Sequence, residues 1–316
     1  MPEQPTIIAT RGSALALAQA NHVFDECRRL FPRLKFEIKI LKTTGDKLQS
    51  ASLAQAGKSL PKGLFTKELE ISLLRQQADL AVHSLKDVPT ELPGGLAIGA
   101  VMRRADPRDV LVFKKNAEGD GKFPQLVQGA LVGTSSPRRA AQLREGRPDL
   151  RVEEVRGNVA TRLEKLAESK SMDATVLAAA GLGRLNFRMD GGRLIGDAVP
   201  DGLCAEVLEP GVMLPCAGQA AIGIEVRAED ERIGSICERL NHFNSRQSVT
   251  AERAVLRAMG GGCSSALGTL AIIEGDRMSL RAVSFLGDAM CRAEADGDVR
   301  EPDELGEEVA SQLRDG

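Results

Sequence analysis

Cys263 lies in a glycine-rich run, residues 260–268, with the sequence GGGCSSALG. Glycine reaches left-handed backbone conformations without steric cost, so the three glycines before Cys263 allow this loop to approach a ligand closely. A cysteine thiolate is a nucleophile, so the thiol could hold a ligand through a covalent bond. Taken alone, the run favours an ordinary glycine-rich turn that contains a cysteine.

Basic and hydroxyl side chains follow several predicted strands at the point where each strand ends. Ligands of open α/β sheets bind at this carboxyl edge. Guanidinium groups bind carboxylates through paired hydrogen bonds, and several of them close together repel one another unless anions are present. A ligand with several carboxylates or phosphates is therefore predicted. The candidate residues are Arg11, Ser13, Lys86, Ser136, Arg138, Arg139, Arg156, Arg162 and Arg184.

Each of these residues also has an ordinary structural explanation. Ser13 and Ser136 could serve only as helix N-caps, because serine is a preferred capping residue. Arg138 and Arg139 could lie on a solvated helix face, and Lys86 could belong to a solvated turn. The argument for a binding site is that all of them fall at the same kind of position.

Asp87 is the candidate acid/base or charge-stabilising carboxylate. Other chemistries lack support in the sequence. The chain has three histidines, and neither a G-x-S-x-G motif nor a Walker A or G-x-G-x-x-G motif at a strand–helix turn is present. The six cysteines form no C-x-x-C pair and no His/Cys cluster is evident, so no metal site is predicted.

The composition is that of a soluble globular protein of 316 residues. The formal net charge of −2 argues against a nucleic-acid partner, and the absence of Trp and Tyr leaves only nine Phe for stacking on bases. Scattered cysteines fit a reducing compartment, and the start of the sequence has no signal-peptide pattern. We expect a cytoplasmic protein without a membrane partner.

Alternating strand and helix patterns predict an α/β fold with parallel pairing in the first two thirds of the chain. The first set has strands at 6–10, 36–41, 78–82 and 97–102 and helices at 14–30 and 61–77. The second set has strands at 109–113, 130–133, 151–155 and 174–180 and helices that start at Ser136-Pro137 and at 158. Two such layers suggest a hinged cleft.

The pattern changes after residue 227. Helices are predicted at 230–240, 250–259 and 302–313, and strands at 268–274, 278–285 and 290–295. Helices followed by consecutive strands are typical of a small α+β domain. We therefore expect a separate domain from residue 227 onward.

Six motifs in order make the sequence similar to the porphobilinogen deaminase (hydroxymethylbilane synthase) family over nearly its whole length. The matching segments are ATRGSALAL at 9–17, KGLFTKELE at 62–70, AVHSLKDVP at 81–89, VGTSS at 132–136 before Arg138 and Arg139, RGN at 156–158 before TRL at 161–163, and GGC at 261–263. The resemblance implies three domains. Residues 1–102 with 204–226, and residues 103–203, would form two α/β domains like those of periplasmic binding proteins around a cleft, and residues 227–316 a small α+β C-terminal domain.

The resemblance also implies a covalent dipyrromethane cofactor, attached through a thioether to Cys263. The cofactor acts as a primer on which four porphobilinogen molecules are deaminated and joined head to tail, and hydroxymethylbilane is then released in tetrapyrrole and haem biosynthesis. Asp87 would stabilise positive charge on the pyrrole, and the Arg, Lys and Ser candidates, with Lys62, would bind its acetate and propionate groups. Family members suggest a monomer.

The sequence departs from the family pattern at four places. An apparent insertion at 59–61 leaves it open whether Lys58 or Lys62 contacts the cofactor, and Pro137 stands where Leu is common. The sequence GQAA at 218–221 replaces the usual GQGA, and Ala266 replaces the usual Pro after the cysteine loop. Two alternatives stay open at this point, namely a non-catalytic module that binds an anionic metabolite and a degenerate paralogue.

Overall fold

The computed structural model describes residues 4–43, 66–114, 123, 125–262, 265–287 and 289–315. Within these ranges the chain forms strands and helices, and a single 3₁₀ turn, Leu85–Asp87, follows the third strand. In chain order the elements are β1 (Thr6–Arg11), α1 (Ala14–Leu30), β2 (Phe36–Leu41), α2 (Lys67–Leu74), β3 (Leu80–Ser84), β4 (Leu96–Val101), β5 (Asp109–Lys114), β6 (Leu131–Gly133), α3 (Pro137–Gly146), β7 (Arg151–Glu153), α4 (Val159–Glu168), β8 (Ala174–Ala178), α5 (Ala179–Arg184), β9 (Arg188–Asp190), β10 (Arg193–Ile195), β11 (Leu203–Leu208), β12 (Ile222–Arg227), α6 (Glu231–Leu240), α7 (Phe243–Ala258), β13 (Leu267–Glu274), β14 (Arg277–Ser284), β15 (Cys291–Asp298) and α8 (Pro302–Asp315).

The first compact unit comprises Met1–Ala105 and Ala221–Thr250. Its five-stranded sheet has the order β2-β1-β3-β12-β4, in which β1 pairs in parallel with β2 and β3. β12 is antiparallel to both of its neighbours. One core lies between the sheet, α1 and α6, and it includes buried side chains such as Ile8, Val23 and Ile236. This packing buries one face of α1 and fixes its start beside the end of β1.

The second compact unit comprises Asp106–Ala220 and Ala251–Gly316. It contains a seven-stranded sheet in the order β7-β6-β8-β5-β11-β10-β9 and a three-stranded antiparallel sheet, β13-β14-β15. α8 packs on the small sheet around a core of its own, which includes Met278, Leu280 and Val309. Residues 204–220 belong to this unit, since β11 pairs with β5 along its whole length. The three-domain division made from the sequence stays a proposal.

The predicted fold class, α/β with a small α+β region at the C-terminal end, is confirmed. α1 and β2 have the bounds predicted from the sequence. Several predicted bounds were wrong: the strand starting at Ala174 ends at Ala178 just before α5, the helix expected from residue 250 begins at Phe243, and the strand expected at 78–82 lies at Leu80–Ser84. The expectation of parallel pairing holds only in part, because β5 and β12 run antiparallel to their neighbours.

A buried carboxylate, Asp109, holds together the parts of the second unit that lie under α3. Asp109 is fully buried at the start of β5, and Arg138 donates to its Oδ2 atom over 2.7 Å. Arg139 donates to Oδ1 through Nε and Nη2, at 3.2 and 2.7 Å, and the Gln219 amide donates to Oδ1 over 2.9 Å. Burial alone would raise the pKa of Asp109, but the two guanidinium charges outweigh it and hold the pKa well below its ordinary value.

Ala220 adopts a left-handed backbone conformation, with φ of +70°. An L-residue with a Cβ atom is strained there, whereas glycine is not. Ala220 occupies the position at which the sequence departs from the usual GQGA motif. Its carbonyl accepts a hydrogen bond of 2.6 Å from Nη2 of Arg184, and this tertiary contact stabilises the left-handed conformation.

Replacing Ala220 with glycine should therefore stabilise the protein. Relief of left-handed strain exceeds the added entropy of the unfolded chain, and we expect a gain of about 0.5–1 kcal/mol in the free energy of unfolding. Urea unfolding measures it. The matched control is Ala221→Gly, at a buried neighbour without positive φ, which should destabilise by about 1 kcal/mol. Equal destabilisation by both variants would contradict the strain at Ala220.

Replacing Asp109 with asparagine should be strongly destabilising, by about 3–5 kcal/mol, because two buried guanidiniums lose their counter-charge. Because the folded pKa lies below the unfolded value of about 4, the stabilisation is complete above that pH and is lost as the pH falls. Urea unfolding of Asp109→Asn beside Asp149→Asn tests this. Asp149 pairs with Arg147 nearer the surface, so its replacement should destabilise the protein far less.

Candidate functional site

The start of α1 presents Arg11 and Ser13. β1 ends at Arg11, and Ser13 is the N-cap of α1, as predicted, with its Oγ accepting from the backbone N–H of Ala16 over 3.3 Å. A capping hydroxyl can still donate its own proton, and the first N–H groups of a helix favour an anion. Both side chains are partly exposed. This end of α1 is suited to a carboxylate.

Lys86 and Asp87 lie in the 3₁₀ turn that follows β3, and both are partly exposed. The backbone fixes this turn, since Leu85 N–H donates to the Ala221 carbonyl over 3.0 Å. The Leu85 side chain also packs over Gly223, where an added Cβ would lie 2.8 Å from Leu85 Cδ1. Within the described ranges no hydrogen bond or ion pair reaches the Lys86 amine or the Asp87 carboxylate. Both charges are therefore available to a ligand.

Polar contacts on both faces of β3 hold the strand end that leads into this turn. Ser84 and the buried Gln19 of α1 are joined by contacts of 2.9 and 3.1 Å between hydroxyl and amide. On the other face, Nε2 of His83 lies 2.9 Å from Oε2 of the buried Glu225. Burial raises the pKa of the nearby Glu70, and the Glu225 charge adds to the effect. The sequence did not indicate Gln19 or Glu225 because their partners lie far away along the chain.

α3 begins with Ser136 as its N-cap and Pro137 at its first helical position. The Ser136 hydroxyl accepts from Arg139 N–H over 3.4 Å, so the capping interpretation of this residue is confirmed. Arg138 and Arg139 do not lie on a solvated face, because both are buried and bind Asp109. Among the described atoms, Arg138 Nε is buried without a partner.

Three cations lie in the loop from β7 to α4 and in α4 itself. Arg156 pairs with Glu154, and Arg162 Nε donates to the Gly157 carbonyl over 2.9 Å. Lys165, which the sequence analysis did not single out, donates to the Arg156 carbonyl over 2.9 Å. These bonds fix a loop whose Gly157 has a φ of +131°. Arg156 and Arg162 thus stand on a shaped backbone at the start of α4.

Arg184 is the last residue of α5 and is partly buried. Burial lowers its pKa to about 10. Its Nη2 donates to the Ala220 carbonyl, and no carboxylate in the described part of the chain forms an ion pair with it. A partly desolvated guanidinium without a counter-charge favours an anionic ligand.

Two of the predicted site residues, Lys62 and Cys263, lie outside the described residues, as does Lys58. The neighbours of Cys263 are described: Gly260 has a φ of +64°, Gly261 N–H donates to the Leu256 carbonyl over 2.9 Å, and Gly262 N–H donates to Ser265 Oγ over 2.8 Å. The loop therefore leaves α7 through a tight, hydrogen-bonded turn.

The described residues contain no group of three or more His, Cys, Asp and Glu side chains arranged to hold a metal ion. They also contain no helix that is long and apolar enough to cross a membrane. The predicted site residues within the described ranges are cations, the capping hydroxyls of Ser13 and Ser136, and the Asp87 carboxylate. Such groups can bind several carboxylates and stabilise a nearby cation.

Comparison with known proteins identifies two matching family models. "Porphobilinogen deaminase, dipyromethane cofactor binding domain" matches residues 6–235, and "Porphobilinogen deaminase, C-terminal domain" matches residues 246–315. The chain is similar to a solved structure, the VFT2 domain of Bordetella pertussis BvgS, at 16% identity and a TM-score of 0.43 over 75% of this chain and 86% of that one, and similarity at this level carries no functional inference.

Among curated relatives, the porphobilinogen deaminase of Desulforudis audaxviator is 44% identical over 309 residues, which cover 97% of this chain and 93% of that protein. The porphobilinogen deaminase of Moorella thermoacetica is also 44% identical, over 97% of this chain and 92% of its own length. Both family models together span nearly all of the sequence. The chain therefore belongs to the porphobilinogen deaminase family.

Proposed function

We propose that this chain is an active hydroxymethylbilane synthase. It joins four porphobilinogen molecules head to tail, with loss of ammonia from each, and releases hydroxymethylbilane for tetrapyrrole and haem synthesis. The observation that carries this proposal is the family match over nearly the whole chain, at 44% identity to curated porphobilinogen deaminases. The availability of the Asp87 carboxylate supports catalysis over mere binding, since a module that only binds an anion has no need of it.

The described residues fit a dipyrromethane group. Each pyrrole ring of such a group carries an acetate and a propionate, and the chain supplies Lys86 and Arg184, for which the described residues provide no ion-pair partner. When bound, the group supplies the primer to which substrate units are added. We propose that Cys263 anchors it through a thioether and that Lys62 contacts it.

The remaining donors are proposed to bind acetate and propionate groups of cofactor and substrate. Arg11 and Ser13 act at the start of α1, Ser136 at the start of α3, and Arg156 and Arg162 at the start of α4. Arg138 and Arg139 stay in the proposed set. Because their hydrogen bonds go largely to Asp109, they contribute through the orientation of α3 and the Arg138 Nε group.

Asp87 is proposed as the catalytic carboxylate. The backbone positions it in a 3₁₀ turn, and no described side chain neutralises its charge. An ionised carboxylate in that position stabilises positive charge that develops on a pyrrole ring and can accept a proton from it. We further propose that the enzyme acts in the cytoplasm as a monomer, without a nucleic-acid or membrane partner.

The first test is the intact mass of the purified protein beside its Cys263→Ser variant. Wild type should exceed its polypeptide mass by two linked porphobilinogen units, and the variant should show the bare mass. Cys291→Ser, a partly buried cysteine elsewhere in the second unit, is the matched control and should keep the excess. A bare wild type that stays bare after incubation with porphobilinogen would favour the binding module or the degenerate paralogue.

Replacing Asp87 with asparagine should leave a folded, cofactor-loaded protein whose kcat is lower by about 10²–10⁴-fold, because the variant lacks the negative charge. Steady-state kinetics with porphobilinogen measure kcat, and thermal unfolding shows that the fold is intact. Asp25→Asn, on the exposed side of α1, is the control and should retain wild-type turnover. A kcat near wild type in Asp87→Asn would remove the role assigned to this carboxylate.

A further inference from the structure

Leu214 and Pro215 lie in a buried segment that touches α3 on one side and β13 on the other, all within the second unit. On the α3 side, Arg138 Nη1 donates to the Leu214 carbonyl over 2.6 Å. On the β13 side, Thr269 N–H donates to the Pro215 carbonyl over 2.8 Å. The two residues thus form a direct mechanical connection between α3 and the small sheet.

Gln142 makes the α3 side of this connection specific. Its Nε2 donates to the Leu214 carbonyl over 3.0 Å, and its Oε1 accepts from Leu214 N–H over 2.8 Å. The amide side chain therefore pairs with both backbone groups of one residue, as a neighbouring strand would. Gln142 is only 3% exposed and lies one helical turn after Arg138, on the same face of α3.

On the other side, the contacts leave little freedom for β13. Gly268 packs against Leu214 so closely that an added Cβ would lie 2.9 Å from Leu214 Cβ and 3.0 Å from its carbonyl oxygen. The fully buried Glu252 of α7 accepts from Gly218 N–H over 2.8 Å and from Ala271 N–H over 3.0 Å. The segment is therefore bound to α7 and to β13 at once.

The elements on that side are the two that flank Cys263. α7 ends at Ala258 and β13 begins at Leu267, so the glycine-rich run connects these two elements in the sequence. α3, on the opposite side, begins with Ser136, Arg138 and Arg139. A shift of Leu214 relative to α3 would therefore shift α7 and β13 relative to Ser136 and the start of α3.

We infer that Gln142 is a positioning residue for the cofactor: through Leu214 and Pro215 it fixes α7 and β13, the elements on either side of Cys263 in the sequence, relative to the start of α3. The inference rests on the proposed attachment at Cys263. Gln142 touches neither cofactor nor substrate in this role. An apolar side chain of similar shape would fill the same space, but Leu214 N–H would lose its acceptor and the Leu214 carbonyl would keep only the bond from Arg138.

The test uses full-length protein from cells that make no porphobilinogen, which is then incubated with porphobilinogen while intact mass follows cofactor loading. Gln142→Met keeps the shape and removes both bonds. We expect it to load at least about tenfold more slowly than wild type, because small misplacements of reacting groups are costly. In the loaded protein kcat should fall while KM stays near wild type.

Hydrogen exchange supplies a readout that a local packing defect would not move. In Gln142→Met the amide of Leu214 loses its acceptor directly, and the amides of Thr269 and Ala271 should also exchange faster. Gln142→Glu keeps the acceptor for Leu214 N–H but sets a second oxygen against the Leu214 carbonyl, so it should also load more slowly than wild type. If Gln142→Met is recovered unfolded, Gln142→Glu carries the test alone.

The matched control is Thr175→Val, which removes a buried 2.7 Å hydrogen bond to the Gly133 carbonyl in the large sheet of the same unit. It should load at the wild-type rate even where its melting temperature falls as much as that of Gln142→Met. Equal slowing in both variants, or wild-type loading and exchange in Gln142→Met, would overturn the inference. A wild type that does not load would instead overturn the proposed function.

Discussion

The buried charge of Asp109 is the constraint on which the second unit depends. Two guanidiniums and one amide converge on its two oxygens, and none of them is exposed enough for water to replace the carboxylate. Because an unpaired buried charge is very costly, this arrangement keeps α3, β5 and the segment around Gln219 in one fixed relation. The placement of Ser136 at the start of α3 follows from it.

The charged groups of the predicted site fall into two classes, those with an internal counter-charge and those without one. Arg138 and Arg139 are satisfied inside the protein and so hold structure, whereas Lys86, Asp87 and Arg184 are placed by backbone and burial with no counter-charge among the described residues. A group without an internal partner keeps its interaction energy for a ligand, at a cost in stability that the surrounding fold must offset. This division separates residues that build the site from residues that act in it.

Sequence patterns within a few residues correctly predicted the features that depend only on neighbouring residues. Ser13, and Ser136 with Pro137, marked helix starts because capping depends on the next three residues. β12 was not predicted, since a fully buried strand lacks the alternation that marks a half-buried one, and its antiparallel partners lie more than 100 residues away. Asp109, Gln142 and Glu252 were missed for the same reason, as only the tertiary fold brings their partners to them.

Ala220 shows how far tertiary contacts can override local preference. The usual glycine at this position accepts a left-handed conformation freely, yet the structure keeps φ at +70° with alanine in its place. The neighbouring Gln219 is held by Asp109 and by the Pro107 carbonyl, and the Ala220 carbonyl is held by Arg184. A change in φ would break these bonds, each to a buried or charged group, and so the strain of one methyl group is the smaller cost.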